Sequence, residues 1–247
     1  MGQEPNLLPE KLRLLLISNS TQFGGSFLDH CASEIQAVLA GIQTVLFVPF
    51  AGHDLDAYAR QVTQRFVKMG IEVTSVHESQ DPIEAVRTAA ALFVGGGNTF
   101  RLLARLYSLK LIAEIRARVL QGMPYIGASA GANVACATIQ TTNDMPIVYP
   151  PSLAALGLLP FNINPHFLDQ PPSSTHMGEP RATRIREFHQ ENQLPVVGLR
   201  EGAAIRVENG HAWVTGIADA RVFLHDEEPR EIISGSSLDF LLQRVNL

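Results

Sequence analysis

Between residues 12 and 18 the chain reads Leu-Arg-Leu-Leu-Leu-Ile-Ser. A run this apolar marks a strand covered on both faces rather than one with a solvent side. Apolar residues then recur at helical spacing at Phe27, Leu28, Cys31, Ile35, Val38 and Leu39, and Gly41 closes that helix. The alternation continues down the chain. A strand at 44–48 stops at Pro49, Asp54 caps a helix reaching Met69-Gly70, and a third strand spans 71–76. Asp81-Pro82 opens a short helix to Ala90, and a strand at 92–94 runs into Gly95-Gly96-Gly97-Asn98 and a helix through Leu106. Another apolar run ends at Ala128, followed by a predicted helix over 129–139. Beyond a polar loop at 141–146 and a proline-rigidified turn at 163–167, the segments at 196–199 and 204–233 carry β signals, with Asn209-Gly210 as a hairpin turn. Helices are expected over 181–188 and, amphipathic, near 238–245. This order predicts an α/β fold with a mostly parallel central sheet flanked by helices and a β-rich C-terminal part. One domain over 11–247, after a polar extension at 1–10, accommodates it.

Composition narrows the function classes. With 247 residues and 46% apolar composition the chain can bury a large core, while a net charge of −5 and no basic stripe supply no source for phosphate neutralisation. Nucleic acid is not an expected partner. The first ten residues hold Glu4 and Glu10 around a brief Leu7-Leu8 pair, neither a signal-peptide core nor a membrane span, so a cytoplasmic location is expected and no membrane partner. Cys31 and Cys136 fall in predicted helices at a spacing that builds neither a disulfide framework nor a zinc site, and read as small core residues. No metal is expected.

The chemistry gathers at strand ends. Gly127-Ala128-Ser129-Ala130-Gly131 lets a chain leave a buried strand, turn sharply at serine and enter a helix whose first N–H groups face the hydroxyl. A chance Gly-x-Ser-x-Gly is common, so the motif needs partners. Three consecutive glycines at 95–97 are costly in chain entropy. They read either as a flexible loop or as an oxyanion donor at Gly97 opposite the N–H of Ala130, with Asn98 set to contact substrate. His166, beside Pro165 and flanked by apolar anchors, suits a general base for Ser129, although a structural histidine has the same setting. Asp144, in Asn143-Asp144-Met145-Pro146, is a turn-former, an acid partner or a substrate contact. Glu201 ends a buried strand and is either a loop residue or the group that orients His166. Residues 170–180 are rich in turn formers and suit a surface loop or lid. Arg181 and Arg184 follow on one helix face, with Arg186 turned away.

Taken together these segments resemble the peptidase E family of α-aspartyl dipeptidases. The likeness rests on Gly95-Gly96-Gly97-Asn98-Thr99-Phe100, Ser129-Ala130-Gly131-Ala132-Asn133, the stretch from Thr141 to Ile147, Ile163-Asn164-Pro165-His166-Phe167 and Arg184-Ile185-Arg186-Glu187, in that order. It implies a fold related to the class I glutamine amidotransferases and a serine hydrolase that removes N-terminal aspartate from dipeptides without a cofactor. It also implies a triad at Ser129, His166 and Glu201, with the glycine run at the oxyanion hole. The order Ser, His, acid sets the chain apart from α/β-hydrolases, which run Ser, acid, His. Ala128 stands where bacterial members carry Trp, a departure that bears on the pocket. An N-terminal aspartate needs a fixed cation, and arginine, at Arg181 or Arg184, supplies the best fork for it. A cyanophycinase-like hydrolase of β-Asp-Arg units, with an acidic pocket, and a non-catalytic small-molecule binder are the alternatives. The sequence leaves a homo-oligomer open.

Overall fold

A computed structural model describes residues 8–169 and 179–242. Most of the 1–10 extension, most of the loop expected at 170–180 and the end of the expected C-terminal helix lie outside the described residues.

The central sheet has seven strands in the order β3-β2-β4-β5-β1-β8-β9. Five of them, β1 (Leu14–Ile17), β2 (Thr44–Val48), β3 (Glu72–Ser75), β4 (Leu92–Val94) and β5 (Tyr125–Ala128), run parallel. The other two, β8 (Ala203–Glu208) and β9 (His211–Gly216), extend the sheet antiparallel beyond β1. Burial on both faces explains the unbroken apolar runs. Leu14 and Leu16, with Leu46, Val48, Leu92, Val94 and Tyr125, point to one core, while Leu15 and Ile17, with Val45, Phe47, Phe93 and Ile126, point to the other. The second core is covered by α1 (Ala32–Leu39) and α2 (Leu55–Val67). The first is covered by α3 (Pro82–Thr88), α4 (Thr99–Ser108), α5 (Leu111–Leu120) and α6 (Ala130–Ala135).

A second sheet, in the order β11-β10-β7-β6, joins β6 (Asn162–Phe167) parallel to β7 (Val196–Arg200), then β10 (Ala220–Phe223) and β11 (Arg230–Ile232) antiparallel. Its inner residues Ile163, Val197, Leu199 and Val222 join the first core, and α7 (Arg181–Glu191) packs Ile185 against Phe167, Val196 and Phe223. The expected α/β class and β-rich C-terminal part are both present.

Three expected elements differ, and one helix is additional. The first helix starts at Ala32 rather than near Phe27, because Leu28 takes a left-handed φ of 55° and Cys31 caps the helix from outside it. Leu28 and Cys31 still bury their side chains there. The helix after Ser129 ends at Ala135, not 139, and Cys136 sits just past it. The cause is Asn162, whose side chain accepts from the Thr138 N–H at 3.1 Å and donates to the Thr138 hydroxyl at 2.8 Å, drawing the chain away from the helix axis. Helix α5 was not anticipated, although Leu111, Ile115 and Val119 lie four apart and all face the core; Lys110, at φ 58°, breaks it from α4. Near the C-terminus only a short 3-10 turn, Asp239–Leu241, occupies the described part of the expected helix.

Phe93 stacks between Phe47, at 5.4 Å between centroids, and Phe66, at 5.2 Å, with no solvent exposure. Truncating it empties the middle of one core. Phe93→Ala is expected to cost about 3–5 kcal/mol, read as a lower urea midpoint at an unchanged denaturant slope.

Candidate active site

The register sets β4 and β5 side by side, with Val94 opposite Gly127, and β5 beside β1, with Ala128 opposite Ile17. The loops that leave β4 and β5 therefore meet at neighbouring carboxyl ends, the usual ligand edge of an open α/β sheet. Ser129 makes the turn from β5 into α6 at φ 51° and ψ −105°, a conformation most residues avoid. Its N–H donates to the Ile17 carbonyl at 2.9 Å, and its own carbonyl accepts from Ala132 and Asn133. Gly131 has no room for a side chain, since a Cβ would lie 2.2 Å from the Val94 carbonyl oxygen. Helix α6 is thus pressed onto β4, which fixes the elbow. Ala128 buries its side chain completely in the core beneath α1 and α2.

His166 reaches Ser129 from the second sheet. Along β6, Pro165 pairs with Leu199 and Phe167 with Arg200, so His166 is the extra residue of a bulge, at φ 53°. A bulge re-aims the side chain it carries. The imidazole Nε2 lies 3.1 Å from Ser129 Oγ, and Nδ1 lies 2.7 Å from Glu201 Oε1. His166 and Glu201 are 38% and 47% exposed, so the cluster opens to solvent. Glu201 follows Arg200 at the end of β7. The Arg200 guanidinium is gripped by Asp169 at 2.7 Å and Glu231 at 2.9 and 3.0 Å, and these bonds, Glu231 foremost, hold its ionisation above the ordinary arginine range.

Each glycine of 95–97 has its own neighbour. A Cβ on Gly95 would strike the Tyr58 hydroxyl at 2.5 Å, one on Gly96 would lie 3.2 Å from Ser129 Cβ, and one on Gly97 would lie 2.4 Å from the Ala51 carbonyl oxygen. Gly97 also holds φ 134°, open to glycine alone. The run is shaped backbone, not slack. Among the described residues the N–H groups of Gly97 and Ala130 have no acceptor.

Asn98 and Asp144 are engaged with the protein. The Asn98 side-chain oxygen Oδ1 accepts from the Arg101 N–H at 3.0 Å, capping α4, while its side-chain Nδ2 donates to the Met145 carbonyl at 2.8 Å. One Asp144 oxygen accepts from the Thr99 N–H at 2.7 Å, the Thr99 hydroxyl at 2.5 Å and the Thr142 hydroxyl at 3.2 Å. The two residues latch the glycine loop to the 141–146 loop, and it is Glu201, not Asp144, that meets His166.

Arg181 opens α7 and donates to the carbonyls of His166 and of Pro165, the latter at 3.2 Å. Burial, then the neighbouring Arg184 charge, lowers its ionisation from the ordinary value, with Glu201 acting in the opposite direction. Arg184 is more exposed and pairs with Glu179 at 3.4 Å. Arg186 lines a separate cavity of about 620 Å³ with His189 and His225. Tyr58 was missed by pattern. It reads only as one apolar position of α2, yet burial pushes its phenol up to about 12, opposed by a hydrogen bond from the Gly96 backbone. Among the described residues, Asp56, His77 and Glu78 could bring ligand atoms within 4.8 Å of one another for a metal ion, and none belongs to the Ser129 cluster.

A hydroxyl on a strained elbow, within reach of an imidazole that a carboxylate braces, is the arrangement of serine hydrolases. Comparison with known proteins narrows this: the chain belongs to Peptidase family S51, whose sequence model matches residues 14–215. It is 49% identical over 231 residues to "Peptidase E" of Streptomyces coelicolor, covering 94% of this chain and 95% of that one. It is 47% identical over 234 residues to "Probable alpha-aspartyl dipeptidase" of Drosophila melanogaster, covering 94% and 98%. Among solved structures, a peptidase from an acI-B1 Actinobacterium superposes with a TM-score of 0.70 at 18% identity, covering 94% of this chain and 98% of that one, a likeness of fold. No helix among the described residues is long and apolar enough to cross a membrane.

The two acids separate by experiment. Glu201→Gln is expected to lower turnover by up to about 10⁴-fold with little change in KM. Asp144→Asn, which weakens the latch, should instead lower the melting temperature and reduce turnover far less. Steady-state kinetics and thermal melts of the two variants check the assignment, and the reverse ranking would exchange it.

Proposed function

We propose that this chain is a serine dipeptidase that hydrolyses dipeptides with N-terminal aspartate. The observation that carries the reading is the chain of contacts from Ser129 Oγ through His166 to Glu201, 3.1 and 2.7 Å long. In this reading His166 Nε2 takes the hydroxyl proton as Ser129 attacks the peptide carbonyl. The N–H groups of Gly97 and Ala130 receive the oxyanion. The imidazolium then returns its proton to the leaving amine, and water, deprotonated by the same imidazole, hydrolyses the aspartyl ester on Ser129. No cofactor is called for. Asn98 and Asp144 brace the oxyanion loop rather than contact the substrate.

Family membership and the names peptidase E and α-aspartyl dipeptidase borne by relatives support the substrate class. Within the chain the support comes from Arg181. It is partly buried, its charge is disfavoured by burial, and among the described residues no carboxylate lies within ion-pair distance of it. An aspartate side chain would supply that missing counter-charge through a charge-assisted bond. Arg184, already facing Glu179 at the surface, is the weaker candidate.

Ser129→Ala should abolish turnover of Asp-Leu, by about 10⁴-fold or more, without lowering the melting temperature. A variant that keeps a tenth of the wild-type rate would overturn the reading. A panel of Asp-Leu, β-Asp-Arg and Leu-Leu separates this activity from a cyanophycinase-like one and from a non-catalytic binder.

Selectivity gives a second test. Asn-Leu leaves the arginine poorly paired at about 2–5 kcal/mol and should be cleaved far more slowly than Asp-Leu. Arg181→Met should collapse that preference, and Arg184→Met should leave most of it. If both variants keep the full preference, another group reads the aspartate.

A further inference from the structure

Three consecutive residues at the end of β1 each hold a different part of the site. The Ile17 carbonyl accepts the N–H of Ser129 at 2.9 Å. The Ser18 hydroxyl accepts the N–H of His166 at 2.9 Å and donates to the Leu199 carbonyl at 2.7 Å. The Asn19 side-chain oxygen accepts the N–H of Gly202, directly after Glu201, at 2.8 Å, while its amide donates to the Thr21 carbonyl at 2.8 Å. Ser18 and Asn19 are 0% and 1% exposed.

The bulge gives Ser18 a specific task. By inserting His166 opposite the Leu199–Arg200 step, it breaks the ladder between β6 and β7, and a broken ladder leaves an N–H and a carbonyl without strand partners. The Ser18 hydroxyl, one donor and one acceptor, serves the His166 N–H and the Leu199 carbonyl together. It does so from the other sheet, on the strand whose preceding residue holds Ser129. Asn19 does the same for the turn that carries Glu201, where Gly202 stands at φ 89°. Nucleophile, base and acid come from different strands and two sheets, yet their backbones are referenced to one tripeptide.

We propose that Ser18 and Asn19 are positioning residues, which hold His166 and Glu201 in register with Ser129 through its bond to Ile17. This rests on reading Ser129, His166 and Glu201 as the triad. The Ser18 hydroxyl and the Asn19 side-chain oxygen are both committed to backbone groups, and each residue acts through the backbone of the catalytic loops.

The test uses the full chain with Ser18→Ala and Asn19→Ala made singly, Ser18→Thr as the variant that restores the hydroxyl, and Ser129→Ala in parallel. Turnover of Asp-Leu is measured per folded molecule, the folded fraction being set by circular dichroism. A displacement of about 1 Å at the reacting groups costs about 10²-fold. Ser18→Ala and Asn19→Ala should each lower kcat by about that factor with KM within about threefold, and Ser18→Thr should recover most of the loss. If Ser18→Ala does not fold, Ser18→Cys, which keeps a weak donor and acceptor at the same place, is measured against the same split. An activity loss that tracks only the folded fraction, or one carried by KM, overturns the proposal. Full kcat in both alanine variants beside an inactive Ser129→Ala sinks the positioning role and leaves the triad standing. Activity surviving in Ser129→Ala sinks the triad reading itself.

Discussion

The site depends on two residues held where side chains are rarely tolerated, Ser129 at φ 51° and His166 at φ 53°. Conformations of this kind cost on the order of 1–3 kcal/mol each and survive only where the surroundings over-determine them. For Ser129 the determinants are the bond to Ile17, the close seat of α6 on Val94 and the complete burial of Ala128 and Ala130 on either side. For His166 they are the flanking pairs of Pro165 and Phe167 with β7, and the bonds to both sides of its peptide from Ser18 and Arg181. A core buried on both faces of the sheet makes these positions rigid, because no strand can shift without disturbing two hydrophobic layers at once.

The glycine loop at 95–97 solves a related problem by subtraction. Gly95, Gly96 and Gly97 each face a different obstacle, the phenol of Tyr58, the Cβ of Ser129 and the Ala51 carbonyl. A side chain at any of the three would press on that neighbour and shift the loop from this position. The entropy lost by ordering three glycines is offset on the far side, where Asn98 caps α4 and Asp144 takes two bonds from Thr99. The polar side chains of Asn98 and Asp144 tie the glycine loop to the 141–146 loop.

How much was legible in the sequence follows from the range of the signals. The two-faced strands, the serine elbow and the glycine loop are local patterns, and a reader of residues alone finds them. Helix boundaries failed where a distant side chain decided them, as Asn162 does for the end of α6. The pairing of His166 with Glu201 drew on a strand end and on resemblance, while residue types alone left Asp144 eligible too; the fold turns Asp144 towards Thr99. Ser18 and Asn19 read as a strand end going polar. Their partners lie 148 and 183 positions away, a separation at which no spacing rule operates.

In the proposed function the same geometry ties selectivity to catalysis. Arg181 donates to the carbonyls of Pro165 and His166, so the guanidinium proposed to read the substrate also grips the backbone that carries the proposed base, His166. Carbonyl oxygens accept from its Nη1 but do not neutralise its charge, which burial makes costly. A substrate carboxylate beside it would remove that cost and stiffen its hold on the bulge in the same event. An uncharged side chain would do neither. On this reading discrimination against asparagine falls on turnover as well as on affinity, because the wrong dipeptide leaves the base less firmly placed than the right one does.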